Sequence, residues 1–199
     1  MAPAKLTRPR VPPLLAAAGG SLDPGADQGV VMTIGHSTRP LAAFIQLLQV
    51  HGVEKVVDVR IVPRSRHNPQ FNRETLPQDL EAAGIGYVHL PGLGGLRRPR
   101  PDSINLGWQN PGFRGYADYL QTRQFQENLG VLMEMAKSER LALMCAEAVP
   151  WRCHRSLIAD ALWVRGIRVE HILSLTRTQA HRLTPFARVV GTDLTYPAP

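Results

Sequence analysis

The chain has 199 residues, 44% of them apolar and 20% charged, enough to bury one substantial core and ordinary for a globular protein. No apolar stretch approaches the roughly 20 residues of a membrane span, and two cysteines do not make a disulfide framework, so the cytoplasm is the default expectation. The net charge is +7, and only Lys5, Lys55 and Lys137 among the 23 basic residues are lysine. An arginine-rich excess points to an anionic partner, a phosphorylated small molecule or nucleic acid, against the plainer reading of a solvated arginine surface.

Residues 1–29 are rich in Pro, Ala and Gly, show no period, and read as a disordered leader. The run Leu14–Ala18 is too short for a signal-peptide core, and Pro12 and Pro13 precede it. Val30–Ile34 is a β-branched strand, followed by the tight turn Gly35-His36-Ser37-Thr38. Ser37 or Thr38 is expected to cap the next helix, whose apolar face is Leu41, Phe44, Ile45 and Leu48 and which ends at Gly52. His36 and Ser37 read either as a substrate-facing turn or as plain capping residues. Lys55–Val59 is the second strand, with Asp58 and Arg60 at its end. An acid within an apolar run needs a partner: an arginine in a structural pair, or a substrate for which it acts as general base or ligand.

The loop Ile61–Arg73 offers Arg64, Ser65, Arg66, His67 and Asn68 to an anion and Phe71 to a ring. Glu74–Ala83 is a helix stopped by Gly84, and Ile85–Leu90 a third strand ending at His89. The Gly-rich LPGLGG that follows permits close backbone approach but lacks dinucleotide-fingerprint spacing. The chain is loop-like through Arg97–Arg100 to Phe113, and Tyr116–Ala136 is helical with a break near Thr122. Leu141–Met144 is an uncharged run suited to a strand buried on both faces. It leads into Cys145, Glu147, Trp151, Arg152, Cys153, His154 and Arg155 and then a helix with Leu157, Ile158, Ala161 and Leu162 on one stripe. Val169–Leu173 is a fifth strand, and residues 184–199 read as an irregular tail.

This alternation predicts a single α/β domain over residues 30–183: a three-layer α/β/α fold with a mostly parallel sheet of about five strands and Rossmann-like topology. Parallel strands would gather His36, Asp58, Arg60, His89, Cys145 and Glu147 on one edge, outside the carboxyl ends where ligands bind in open sheets. Several chemistries fit parts of this set. The Cys145–Arg152 interval is one residue too long for the phosphate loop of protein tyrosine phosphatases. Cys145, Cys153 and His154 with His36 or His89 match no common zinc spacing. Cys145 and Cys153 are a candidate redox pair outside the CxxC arrangement. A cysteine near a helix N-terminus and Arg152 should have a lowered pKa, suiting Cys153 or Cys145 to nucleophilic attack, although Cys145 also reads as core. Glu147, beside Ala146 and Ala148, suits an acid/base or nucleophile. Arg155 opposes the helix dipole, so it is there for a partner: Glu147, Asp58 or an anionic substrate.

TIGHST at Thr33–Thr38, VDVR at Val57–Arg60, PRSR at Pro63–Arg66, QFN at Gln70–Asn72, LGG at Leu93–Gly95, GYADY at Gly115–Tyr119 and CAEAVPWRCHR at Cys145–Arg155 closely resemble the four-eight-eight family of domains of unknown function, from about Val30 to Leu173. The resemblance implies a bacterial or archaeal single-domain α/β protein and supplies no reaction, substrate or cofactor, so the function rests on the residues. The leading expectation is an enzyme that hydrolyses or transfers a group of an anionic substrate. Glu147, Asp58, His36 and Cys145 would carry the catalysis; Ser37, Arg60, Arg64, Ser65, Arg66, Phe71, Cys153, His154 and Arg155 would bind the substrate. No motif calls for a cofactor or metal, no membrane partner is expected, and the oligomeric state is open. The alternatives are a non-catalytic nucleic-acid-binding module and a metal or thiol sensor built on Cys145, Cys153 and His154.

Overall fold

The computed structural model describes residues 29–198, and the expected leader, apart from Gly29, lies outside the described residues. All five apolar runs form strands: β1 (Val31–Gly35), β2 (Lys55–Asp58), β3 (Gly86–His89), β4 (Leu141–Cys145) and β5 (Val169–Ser174). They pair in parallel in the order β3-β2-β4-β1-β5, each joined to the next in the chain by a helix-bearing connection long enough to cross over. A sixth strand, β6 (Arg177–Ala180), runs antiparallel on the outside of β5. It is polar and mostly exposed, as an edge strand can be, so no apolar run announced it.

Helices cover both faces. Side chains alternate along the strands, sending Met32, Ile34, Val56 and Met144 into a core with α1 (Leu41–Val50) and α2 (Leu76–Ala82). Val31, Val57, Leu143 and Cys145 enter the opposite core, with α3 (Pro111–Leu120), α4 (Arg123–Met135) and α5 (Arg155–Trp163). The result is the expected three-layer α/β/α fold. The chain leaves β1 toward β2 and leaves β4 toward β5, on opposite sides, although β1 and β4 are neighbours. The crevice outside their carboxyl ends is therefore a topological switch point.

Local corrections follow from backbone geometry. Neither Ser37 nor Thr38 caps α1: Ser37 takes a left-handed turn, and the helix begins only at Leu41 with no side-chain cap. The end of the expected loop, Asn110-Pro111-Gly112 before Phe113, is instead the start of α3, where Asn110 Oδ1 accepts from Gly112 N at 2.8 Å and proline fills the first turn. The expected break near Thr122 separates α3 from α4, with Thr122 Oγ1 capping the latter.

The segment from Thr184 carries the hairpin β7 (Arg188–Val190) and β8 (Asp193–Thr195). Asp160 of α5, fully buried, organises its return. Its carboxylate accepts from Thr184 N (3.0 Å), Thr184 Oγ1 (2.7 Å), Tyr196 OH (2.9 Å) and His181 Nε2 (2.8 Å). Tyr196 is itself fully buried, an anchor that a proline-flanked polar tail did not signal.

Candidate functional site

β4 ends at Cys145 directly beside Gly35 of β1. The two chains stay zipped past the sheet through His36 N to Cys145 O and Ser37 N to Ala146 O, both 2.9 Å. The loop after β4 then folds over Gly35 so closely that a Cβ there would lie 1.8 Å from the Glu147 carbonyl oxygen. Pro150–Arg152 makes one 3-10 turn and delivers Cys153 to the foot of α5. The only two sulfhydryls, both free and buried, come within 2.7 Å of each other there.

Arg155 lies behind them and is 1% exposed. Its Nε donates to Cys153 Sγ at 3.4 Å and its Nη2 to the Glu147 carbonyl at 2.5 Å. Neither expected carboxylate partner, Glu147 or Asp58, forms an ion pair with it. A guanidinium removed from water needs a counter-charge, and the group at hand that can supply one is the Cys153 thiol. Burial by itself would push the Cys153 thiol up, but hydrogen bonds from Cys145 and His154 and the charges of His154 and Arg155 outweigh it and hold Cys153 well below the ordinary thiol range. Burial, with the bond to Cys153, drives Cys145 the other way. The shifts are opposite, so within the pair Cys153 is the sulfur that favours the negative charge and Cys145 the one that favours keeping its proton.

His154 Nδ1 stands 3.6 Å from Cys153 Sγ, and its Nε2 is buried with no partner among the described residues. Its ring rests 5.0 Å from that of Tyr116. A Cβ at Gly95 would come 2.8 Å from His154 Nδ1, so the Gly-rich LPGLGG makes room for this imidazole, a close approach to a side chain of the chain itself.

The other half of the rim lies on the α1–α2 side. Asp58, without exposure, grips Arg60 through Oδ1 to Nε (2.9 Å) and Oδ2 to Nη2 (2.6 Å), and also accepts from Tyr87 OH at 2.8 Å. Arg60 Nη2 reaches the Phe71 carbonyl, and Nη1 reaches His36 Nε2 at 3.1 Å. Since arginine can only donate, His36 Nε2 accepts, and the ring proton sits on Nδ1, which donates to Ser37 O at 2.8 Å. Burial, helped by the charges of Arg60 and Arg155, lowers the His36 pKa to about 4. His36 is therefore a neutral, fixed tautomer, stacked 4.3 Å from Phe71.

Two adjoining cavities open above these groups. One, of about 440 Å³, reaches Cys145, Cys153, His154, Arg152, Leu96 and Phe113. The other, of about 410 Å³, reaches His36, Ser37, Arg64, Ser65 and Asn68. Arg60, Val62, Ala146 and Glu147 line both and form the ridge between them.

The expected site residues therefore fall into distinct positions. Cys145, Cys153, His154 and Arg155 cluster at the first cavity, with Arg155 behind its wall. Ser37, Arg64 and Ser65 border the second, where Ser65 also pins its loop through Asn68 N (3.0 Å). Glu147 is exposed on the ridge, and its carboxylate has no partner among the described residues. Asp58 and Phe71 are wholly buried and reach neither cavity: the acid is consumed by Arg60 and Tyr87, and the ring backs His36. Arg66 is exposed outside both cavities, and His89 holds the Arg60 carbonyl at 2.8 Å. Sequence reasoning did not assign Gly35 or Tyr87 a part in the site and read the Leu90–Gly95 run as a close approach to a ligand, whereas what lies against Gly95 is His154. Arg152, an exposed cation on the cavity wall, was legible as a cysteine neighbour.

Among the described residues no helix is long and apolar enough to cross a membrane, and no group of three His, Cys, Asp or Glu side chains is placed to hold a metal ion. No curated protein and no solved structure matches the chain. A family model described as domain of unknown function DUF488 matches residues 40–162. That span runs from α1 into α5 and includes the whole Cys145–Arg155 loop, and the chain belongs to the DUF488 family.

Proposed function

We propose that this protein is an enzyme in which Cys153 is the nucleophile, acting by transfer or hydrolysis on a small anionic substrate held in the cavity beside Arg152. The observation that carries this reading is the buried Arg155, whose side chain contacts a sulfur and a carbonyl oxygen but no carboxylate. A cation fixed at such a place stabilises a thiolate, and the thiolate is the reactive form of cysteine. The Cys153 sulfur would bond to the electrophilic carbon or phosphorus while the leaving group departs with its electron pair and takes a proton from solvent. Glu147 on the ridge, free of a competing cation, then takes a proton from the water or acceptor that displaces the sulfur.

The arginines divide into two groups. Arg60 and Arg155 are committed to internal partners, whereas Arg152 and Arg64 are exposed at the cavity walls and would carry the anion. A cavity of about 440 Å³ suits a small molecule better than a polymer, which favours a phosphorylated or carboxylated metabolite over nucleic acid. A thiolate enzyme of this kind would work in a reducing compartment such as the cytoplasm.

The test uses p-nitrophenyl acetate and p-nitrophenyl phosphate with mass analysis of the quenched protein. A burst of nitrophenol with an acyl or phosphoryl adduct on Cys153, absent in Cys153→Ser, is the expected result. No adduct, together with alkylation of Cys153 no faster than that of a free thiol below the ordinary thiol pKa, would overturn the reading.

A further inference from the structure

A lone nucleophilic cysteine does not require a second sulfur, yet the chain's only other cysteine touches it. Cys145 ends β4 and Cys153 precedes α5, eight residues later, and both residues line the same 440 Å³ cavity with their sulfurs in contact. We propose that Cys145 and Cys153 form a redox pair that reduces low-molecular-weight disulfides bearing an anionic group, with Cys153 attacking and Cys145 resolving. This inference rests on the reading of Cys153 as the nucleophile and names a substrate class for the same site.

The order of attack follows from the contacts. Arg155 Nε and His154 Nδ1 are both directed at Cys153, which makes it the thiolate. Cys153 sulfur bonds to one sulfur of the incoming disulfide, the substrate S–S bond breaks, and the departing thiolate takes up a proton. Arg155 then faces a neutral mixed disulfide, and its charge acts on the remaining sulfur of Cys145. That thiol loses its proton, attacks Cys153 sulfur and expels the second substrate thiol. Two cysteine thiols become one Cys145–Cys153 disulfide and one substrate disulfide becomes two thiols, so atoms and electrons balance. The anionic preference comes from Arg152, which lies on the cavity wall, is exposed, and has no ion-pair partner among the described residues. Ile61, Val62, Leu96 and Phe113 on the other walls would take the uncharged part of the ligand.

The experiment treats the reduced full chain with glutathione disulfide, or with cystamine as a cationic counterpart, and maps the cysteines by mass spectrometry. The wild type should lose both thiols and yield a Cys145–Cys153 crosslink. Cys145→Ser should stop at a stable glutathionyl adduct on Cys153, and Cys153→Ser should not react. Glutathione disulfide should outpace cystamine, and Arg152→Ala should erase about three- to tenfold of that difference. A wild type that accumulates the same persistent adduct as Cys145→Ser would overturn the resolving role, and equal rates for the two disulfides would overturn the anionic preference. Neutral iodoacetamide separates the two readings. Rapid alkylation of Cys153 without crosslink formation sinks the redox pair and leaves the nucleophile standing; slow alkylation sinks both.

Discussion

Replacing Arg155 with methionine tests the electrostatic core of the site. The side chain is 1% exposed and its Nε is 3.4 Å from Cys153 Sγ. For unit charges about 4 Å apart, an effective dielectric of about 20 gives an attraction of about 4 kcal/mol, equivalent to about 3 pH units in the thiol. Methionine is unbranched, nearly as long, and uncharged, so it fills the space without leaving an orphaned cation. The predicted result is an iodoacetamide pH–rate profile for Cys153 whose inflection rises by up to about 3 units, with the hydrogen bonds from Cys145 and His154 still opposing the effect of burial. Arg155→Lys keeps the charge and should move the inflection by less than half as much. Thermal unfolding of each variant would show that the fold persists, as expected when a buried charge is exchanged for an apolar side chain of similar size. A methionine variant whose profile overlays the wild type would mean that Arg155 does not set the reactivity of Cys153.

Other positions give independent checks. Gly35→Ala should cost at least about 2 kcal/mol in urea unfolding and slow Cys153 alkylation, because the new Cβ would meet the backbone of Glu147, which holds Arg155; wild-type values in both assays would contradict that packing. Asp58→Asn should cost about 3–5 kcal/mol by leaving Arg60 unpaired, and adding Arg60→Met should recover much of it; a loss below about 1 kcal/mol would show the pair to be dispensable. With a folded pKa of about 4, His36 should remain neutral by NMR well below pH 6. The unfolded chain binds that proton near pH 6.5, so the contribution of His36 is intact above about 6.5, falls through the interval, and is lost, about 3 kcal/mol in all, below about 4. A ring titration centred near 6.5 would refute the assigned tautomer.

The sheet was readable because its five parallel strands are buried and spelled in apolar residues, and their carboxyl ends did bring Cys145, Asp58, Arg60 and His36 to one edge. The finer division of that edge was not readable. Cys145 points to the α3–α5 face, whereas Asp58 bonds Tyr87 and Arg60 beside the opposite core; which face a residue takes depends on a register the sequence does not print. Arg155 announced by its position that it had a partner, but a sulfur eight residues from Cys145 and a main-chain oxygen leave no pattern in a string of letters. For β6 and Tyr196 the difficulty was different. An exposed edge strand has no hydrophobic signature, and a single anchoring phenol in a polar segment has no periodicity.

The Asp160 network also bears on how the molecule is assembled. Asp160 sits on the helix that presents Cys153 and Arg155, yet the phenol that completes its coordination arrives 36 positions later. During synthesis, α5 therefore carries an interior acid short of one of its four donors until the β7–β8 hairpin has been made and Tyr196 behind it has docked. The helix behind Cys153 and Arg155 should consequently gain its last buried hydrogen bond only when the C-terminal segment closes over it.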